Sequence, residues 1–151
     1  MAPLTPKLRC PPVQPPFRVV LIEPEIPPNT GSVARSCAAT GSPLHLIEPL
    51  GFRIDDRSLK RAGIDYWHLV DLAVHPSFAA FERAHPDVRL HFFSSEADRP
   101  YHLADLQPGD ALVVGKESIG LPRELLRAHT DRVWGIPTSG AIRSLNLSNA
   151  V

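Results

Sequence analysis

The sequence is short of several things at once. Its 151 residues include two cysteines, one methionine and two tryptophans, and aromatic side chains make up 7%. Cys10 and Cys37 form no CxxC pair, and two thiols are too few for a disulfide scaffold. A reducing, cytoplasmic setting is therefore expected. Charge of one sign is lacking too: 16 Lys+Arg stand against 16 Asp+Glu. That balance excludes a strongly basic nucleic-acid coat or an acidic tail and leaves room for a local basic patch. No apolar run approaches the roughly 18 to 20 residues of a membrane span. The first 16 residues lack an apolar core of signal-peptide type, so neither a membrane partner nor export is expected. The seven histidines show no HxxxH or HExxH spacing, and no metal site is expected. No GxGxxG follows a strand, and no GxSxG or Ser-His-Asp pattern is visible.

What is there is proline and an alternating pattern. Of 17 prolines, Pro3, Pro6, Pro11, Pro12, Pro15 and Pro16 crowd the beginning. Proline lacks a backbone donor and resists helix and sheet interiors, so residues 1–16 read as a disordered leader and 17–151 as one folded domain. Hydrophobic residues at 43% suffice for one core. Short β-branched runs predict strands at 17–23, 44–47, 67–74, 88–94, 110–115 and 131–136. Helices are expected at 30–40 (ended by Gly41), 55–62 (closed by Gly63), 77–84 and 122–128. Strands that are apolar throughout and alternate with helices predict an α/β domain with a mainly parallel sheet flanked by helices. Such sheets bind ligands beyond the carboxyl ends of their strands, which directs attention to the loops at 23–35, 115–122 and 136–149.

Asn29 or Thr30 can cap the helix that follows the first loop. Arg35, set among Ala and Ser, could hold a phosphate with its planar fork or simply face solvent. In the second loop Gly115-Lys116-Glu117-Ser118 suggests a phosphate loop but fails the pattern. Position 110 is Asp where glycine is required, and Glu117 follows the lysine where Ser or Thr is required. Gly115 would suit close approach of a flat ligand to the backbone, and Glu117 alone could be an ordinary loop acid. In the third loop Ser144, Asn146, Ser148 and Asn149 crowd together, and a helix cap would explain one or two of them. Arg53, Arg57, Lys60 and Arg61, offset by Asp55 and Asp56, read as a solvated helix face or a phosphate-contacting edge. Tyr66 or Trp67 could stack a base, although a core place for Trp67 is the commoner fate.

Taken in order, "EPEIPPNTGSVARSCAATG" with "LHLIEPLGF", then "VVGKESIGLP", then "IPTSGAIRSLNLSNAV" resemble the SPOUT superfamily of knotted methyltransferases. The similarity is greatest to its small tRNA (cytidine(34)-2'-O)-methyltransferases and runs from about Arg18 to Val151. It implies a SPOUT-type α/β-knot, a trefoil threaded by the C-terminal part of the chain. It also implies a homodimer with active sites shared between subunits, tRNA as partner, and S-adenosyl-L-methionine as methyl donor without a metal. By the same resemblance Asn29, Arg35, Glu117, Ser144 and Asn146 are catalytic, with Arg35 activating the ribose 2'-hydroxyl. Phe93, Gly115, Ile136, Ser144 and Leu145 would bind the cofactor. Arg53, Arg57, Lys60, Arg61 and Arg143 are expected to contact RNA. The chain departs from the family in having Ser32-Val33 after the first glycine. The resemblance also leads one to expect a further helix after Val151, completing knot and dimer interface.

Overall fold

A computed structural model describes residues 8–61 and 67–151. Six strands form one parallel sheet in the order β3-β2-β1-β5-β4-β6. They are β1 (Arg18–Ile22), β2 (Leu44–Ile47), β3 (Leu72–His75), β4 (Leu90–Phe93), β5 (Ala111–Val114) and β6 (Val133–Trp134). The helices are α1 (Pro27–Thr40), α2 (Asp56–Arg61), α3 (Phe78–Ala84), α4 (Arg123–Ala128) and α5 (Leu147–Ala150). The expected α/β class and parallel sheet are what the chain adopts.

Strand side chains alternate between faces, so β1 feeds two cores. Val20 and Ile22 join Ile47, Phe81, Leu90, Phe92 and Val113 on one side. Val19 and Leu21 join Val33, Ala34, Cys37, Leu44, Leu46 and Leu147 on the other. Helices cover both faces, which is why the central strands are largely apolar on both, with His45 and His91 as buried exceptions.

Several boundaries differ from the sequence expectation, each for a physical reason. The helix expected at Thr30 begins at Pro27, with prolines in its first turn where a missing N–H costs nothing. Its cap residue is Ile26, so neither Asn29 nor Thr30 is the cap. The strand expected from Trp67 begins at Leu72, because residues 67–69 close a 3-10 turn with Val70 N–H donating to Trp67 O at 3.1 Å. Trp67 is half-buried against the second core. The last strand shrinks to Val133–Trp134 after another 3-10 turn over Thr130–Arg132. Ser77 caps α3 by accepting from Ala80 N–H at 3.1 Å. Residues 62–66, which include the expected helix end and Tyr66, lie outside the described residues.

The chain order along the sheet reverses at the β1–β5 boundary. In such a sheet the loops leaving adjacent strands on either side of the reversal diverge and open a crevice at the carboxyl ends. β1 and β5 pair directly, Leu21 opposite Val114, so the loops after both strands start side by side.

Candidate active site

Strand β1 ends at Ile22, and the next residue, Glu23, has a left-handed φ of 53°. A side chain there is disfavoured, typically by on the order of 1 kcal/mol or more. The kink turns the chain toward the β5 loop, and Lys116 Nζ stands 3.8 Å from Glu23 Oε2. The next residues are packed from below by Gly51: a Cβ at that position would lie 2.6 Å from Glu25 O. Gly51 N–H also donates to Pro24 O at 2.9 Å.

Glu117 now crosses the crevice. Its carboxylate accepts from Glu25 N–H at 2.9 Å, Ile26 N–H at 3.1 Å and Asn29 Nδ2 at 3.3 Å. Ile26 has no cap of its own, so a residue 91 positions away supplies the negative group that the N-terminus of α1 favours. The β1 loop returns the interaction. Glu25 Oε1 accepts from Ser118 Oγ at 2.6 Å and Ser118 N–H at 3.0 Å. These two bonds, the hydroxyl's first, hold the Glu25 carboxyl below its ordinary range.

The third loop closes on the other two. Asn146 Nδ2 donates to Asn29 Oδ1 at 3.1 Å. Asn146 Oδ1 accepts from Ser148 N–H at 2.9 Å and Ser148 Oγ at 2.6 Å, capping α5. The helix cap and the site contact are thus the same side chain. Arg143 Nη2 donates to Ser118 O at 2.7 Å.

Glu117, Asn29 and Asn146 are therefore brought together by direct bonds, and Arg143 adjoins them. Phe93, half-buried, ends β4 opposite Val114, and Ile136 lies half-buried two residues past β6. Ser144 and Leu145 are exposed in the loop before α5. Arg35 is placed differently. Six residues beyond Asn29 on α1, it stands about 9 Å along the axis and about 120° around it. It occupies an exposed position of that helix.

Gly115 is required by its own loop. A Cβ there would lie 2.2 Å from Gly120 C and 2.3 Å from Leu121 N. The β5 loop folds back on itself, with Gly120 N–H donating to Lys116 O at 2.8 Å. The missing side chain admits the returning chain at this point. Gly115→Ala should destabilise the protein by about 3 kcal/mol in urea unfolding, since backbone must move.

The cationic group forms a separate feature. Arg53, Asp55, Arg57, Ser58 and Arg61 line an open cavity of about 600 Å³ on and before α2, and Lys60 is exposed on the same helix. Asp55 Oδ1 accepts from Ser58 N–H at 2.7 Å, which holds its carboxyl low and keeps one negative charge among the cations.

Two clusters escape any sequence spacing. His91 Nε2 meets Asp110 Oδ2 at 2.9 Å, and Trp134 Nε1 donates to His91 Nδ1 at 3.1 Å. The indole only donates, so the buried His91 proton faces Asp110. His45, His75 and His85 also converge, their ligand nitrogens within 4.8 Å of one another. Arg18 Nη1 lies 3.0 Å from His45 Nε2, and His45 Nδ1 lies 3.0 Å from His75 Nε2. Both His45 nitrogens are engaged, and a guanidinium sits beside them, which opposes a second cation. Burial first, then Arg18, His85 and His75, push His45 down to about 3. Burial also lowers His75 and His85. Sequence reading missed Glu25 and Ser118 as well. Each is an ordinary loop polar residue until the partner, 93 positions away, is known.

The SpoU rRNA Methylase family model matches residues 16–151. A tRNA (cytidine(34)-2'-O)-methyltransferase of Saccharophagus degradans is 47% identical over 135 residues, covering 89% of this chain and 88% of that protein. A solved structure bearing on 2-OH methylation of C/U34 on tRNA is 48% identical with a TM-score of 0.82, covering 89% of this chain and 88% of its own. An AdoMet-bound rRNA methyltransferase from Sinorhizobium meliloti is 25% identical with a TM-score of 0.74, covering 89% of this chain and 52% of its own.

Proposed function

The chain belongs to the SpoU rRNA Methylase family, and from that premise we propose that it methylates the ribose 2'-hydroxyl of the wobble nucleotide, cytidine or uridine 34, of tRNA. S-adenosyl-L-methionine is the donor, with no metal. The observation that carries this reading is the direct joining of Asn29 in the first turn of α1, Glu117 in the β5 loop and Asn146 before α5, at the sheet's reversal point. Relatives with this overall sequence carry the same activity in their names.

The loops fit such a donor. Ile26, Ile119, Ile142 and Leu145 are exposed at 43%, 68%, 53% and 36%, and all four lie in the three loops. Apolar side chains beside irregular, accessible backbone suit an adenine ring and a thioether chain. Phe93, Gly115, Ile136, Ser144 and Leu145 are the residues assigned to hold it. The bound donor supplies an electrophilic methyl group on sulfur.

The protein's share of the work is alignment. The ribose oxygen must stand about 3 to 3.5 Å from the methyl carbon and in line with sulfur, which can contribute roughly 7 to 11 kcal/mol. Asn29, Ser144 and Asn146 hold the ribose side of the site. Glu117 fixes the start of α1 and the Asn29 amide. Arg35 is a poor base, because its pKa exceeds about 12. It acts electrostatically, stabilising the developing alkoxide and orienting an RNA phosphate that takes the proton. Its displacement from Asn29 on α1 favours service in a partner subunit's site, in keeping with a homodimer.

RNA contact falls to Arg53, Arg57, Lys60 and Arg61. Replacing Arg57 and Arg61 with glutamine should weaken tRNA binding at least about tenfold, reduce its salt dependence, and leave cofactor affinity unchanged; filter binding across a salt series measures this. A C-terminal trefoil knot, a cytoplasmic location and a leader at 1–16 ahead of a domain at 17–151 complete the reading. Among the described residues no helix is long and apolar enough to cross a membrane.

The decisive experiment incubates the protein with labelled S-adenosylmethionine and bulk tRNA, then locates the modified nucleotide by nuclease digestion and mass spectrometry. Label on the ribose of nucleotide 34 is the expected result. Label on ribosomal RNA instead, offered in the same assay, would move the substrate to another RNA.

A further inference from the structure

Two lines of contact cross the three loops. One runs Glu117–Asn29–Asn146–Ser148 and absorbs residues the family resemblance singles out. The other runs Glu25–Ser118–Arg143, and only Arg143 among these carries an expected role, that of contacting RNA. We infer that Glu25 and Arg143 are positioning residues for the cofactor: they grip Ser118 from opposite sides and thereby set the loop that carries Ser144 and Leu145. The inference rests on the donor-site assignment made above.

The geometry is specific. Ser118 is held by its N–H and hydroxyl on one side, both to Glu25 Oε1, and by its carbonyl on the other, to Arg143 Nη2 at 2.7 Å. All three bonds have one ionised partner, which makes them the stronger sort. Ser118 is also the neighbour of Glu117, so the two lines share one turn of chain. Arg143 sits immediately before Ser144 in sequence. A displaced Ser118 therefore moves the anchor next to the two residues assigned to the donor. Glu25 is itself set from below by Gly51, whose missing side chain lets the two backbones touch. The tie thus runs from the β2 loop through the β1 and β5 loops to the segment before α5. Arg143, with one guanidinium nitrogen on Ser118 O, is oriented toward this tie.

The test uses the full chain and two readouts. Titration calorimetry with S-adenosylhomocysteine gives affinity, and hydrogen exchange over residues 138–146 gives loop order without reference to activity. E25A should weaken affinity at least about tenfold and speed exchange in that loop by a similar factor. E25Q keeps the Oε1 acceptor and should stay within about threefold of the parent. R143A should resemble E25A. The E25A/R143A double variant should be little worse than either alone, because both act through Ser118. With tRNA present, KM for S-adenosylmethionine should rise while KM for tRNA holds.

Parent-like affinity and exchange in E25A would overturn the inference. So would full additivity of E25A and R143A, or a rise confined to KM for tRNA in R143A. Should E25A fail to fold by thermal melting, S118A and R143A repeat the comparison. If the parent chain binds no S-adenosylhomocysteine, the donor assignment falls, and the exchange series still decides whether Glu25 orders the loop.

Discussion

An Arg35→Ala variant is expected to bind S-adenosylmethionine as the parent does and to transfer methyl groups to tRNA about 10²- to 10³-fold more slowly, the cost of losing one preorganised charge at a reacting oxygen. Arg35 is exposed on α1 and belongs to neither core cluster, so its removal leaves both cores packed. Single-turnover transfer measured beside cofactor calorimetry separates the two effects. Retained transfer would take Arg35 out of the mechanism. Arg35→Lys keeps the charge and loses the planar fork. Recovery to within tenfold would indicate that charge suffices, and no recovery would indicate that the fork grips a phosphate. Mixing Arg35→Ala with an Asn146→Ala chain tests sharing between subunits. If each site draws Arg35 from the partner, one site in such a mixed dimer has both residues intact, and activity returns.

The second large effect is on stability against pH. Burial and the neighbouring Arg18 keep His45 neutral, with a pKa of about 3 in place of the ordinary 6.5. The unfolded chain therefore binds a proton here that the folded chain refuses. Stability is full above about pH 6.5 and falls as pH drops, with a limiting slope of about 1.4 kcal/mol per pH unit from this one group. Between pH 6.5 and 5 the loss from His45 alone is about 2 kcal/mol, and His75 and His85 add to it in the same sense. Carboxylates with lowered pKa, Glu25 and Asp55 among them, act in a separate window below about pH 4.5. Urea midpoints measured from pH 7.5 to 5 should fall steadily in the parent. In His45→Phe, which keeps the ring packing against Phe81 but cannot titrate, the fall should be shallower. An equal slope in both proteins would remove the histidine cluster as the cause.

Much of the fold was legible because its strands are short, apolar and β-branched. Residues 18–22, 44–47, 90–93 and 111–114 are buried or half-buried on both faces, and that pattern survives in one dimension. Boundaries were less legible where a neighbour decides them. Trp67 looks like strand by composition and turns instead because its ring packs on the second core. The first helix begins three residues early because Glu117, far away in sequence, caps it. Ile26 carries no polar side chain, so the local sign of the start is confined to Pro27 and Pro28 in the first turn.

The site divides in the same way. Asn29, Glu117 and Asn146 stood out only together, through resemblance of three motifs in order. Singly, each had an ordinary explanation, and for Asn146 the ordinary one is also true: it caps α5. Gly115 stands out in the sequence, but spacing cannot reveal that the chain returns to within contact of it. Glu25 and the histidine cluster gave no signal. Their partners come from other elements: His45 from β2, His75 from the end of β3 and His85 from the end of α3, and Glu25 and Ser118 from the loops after β1 and β5.

The exchange of carboxylates between the β1 and β5 loops also constrains heredity. Each loop holds the acid that the other's amides need, so neither is a portable module. A chimera that takes one segment from a distant relative would strand an acid on one bank and a bare helix end on the other. Drift at positions 25 and 118, or at 29 and 146, is tolerable only in step.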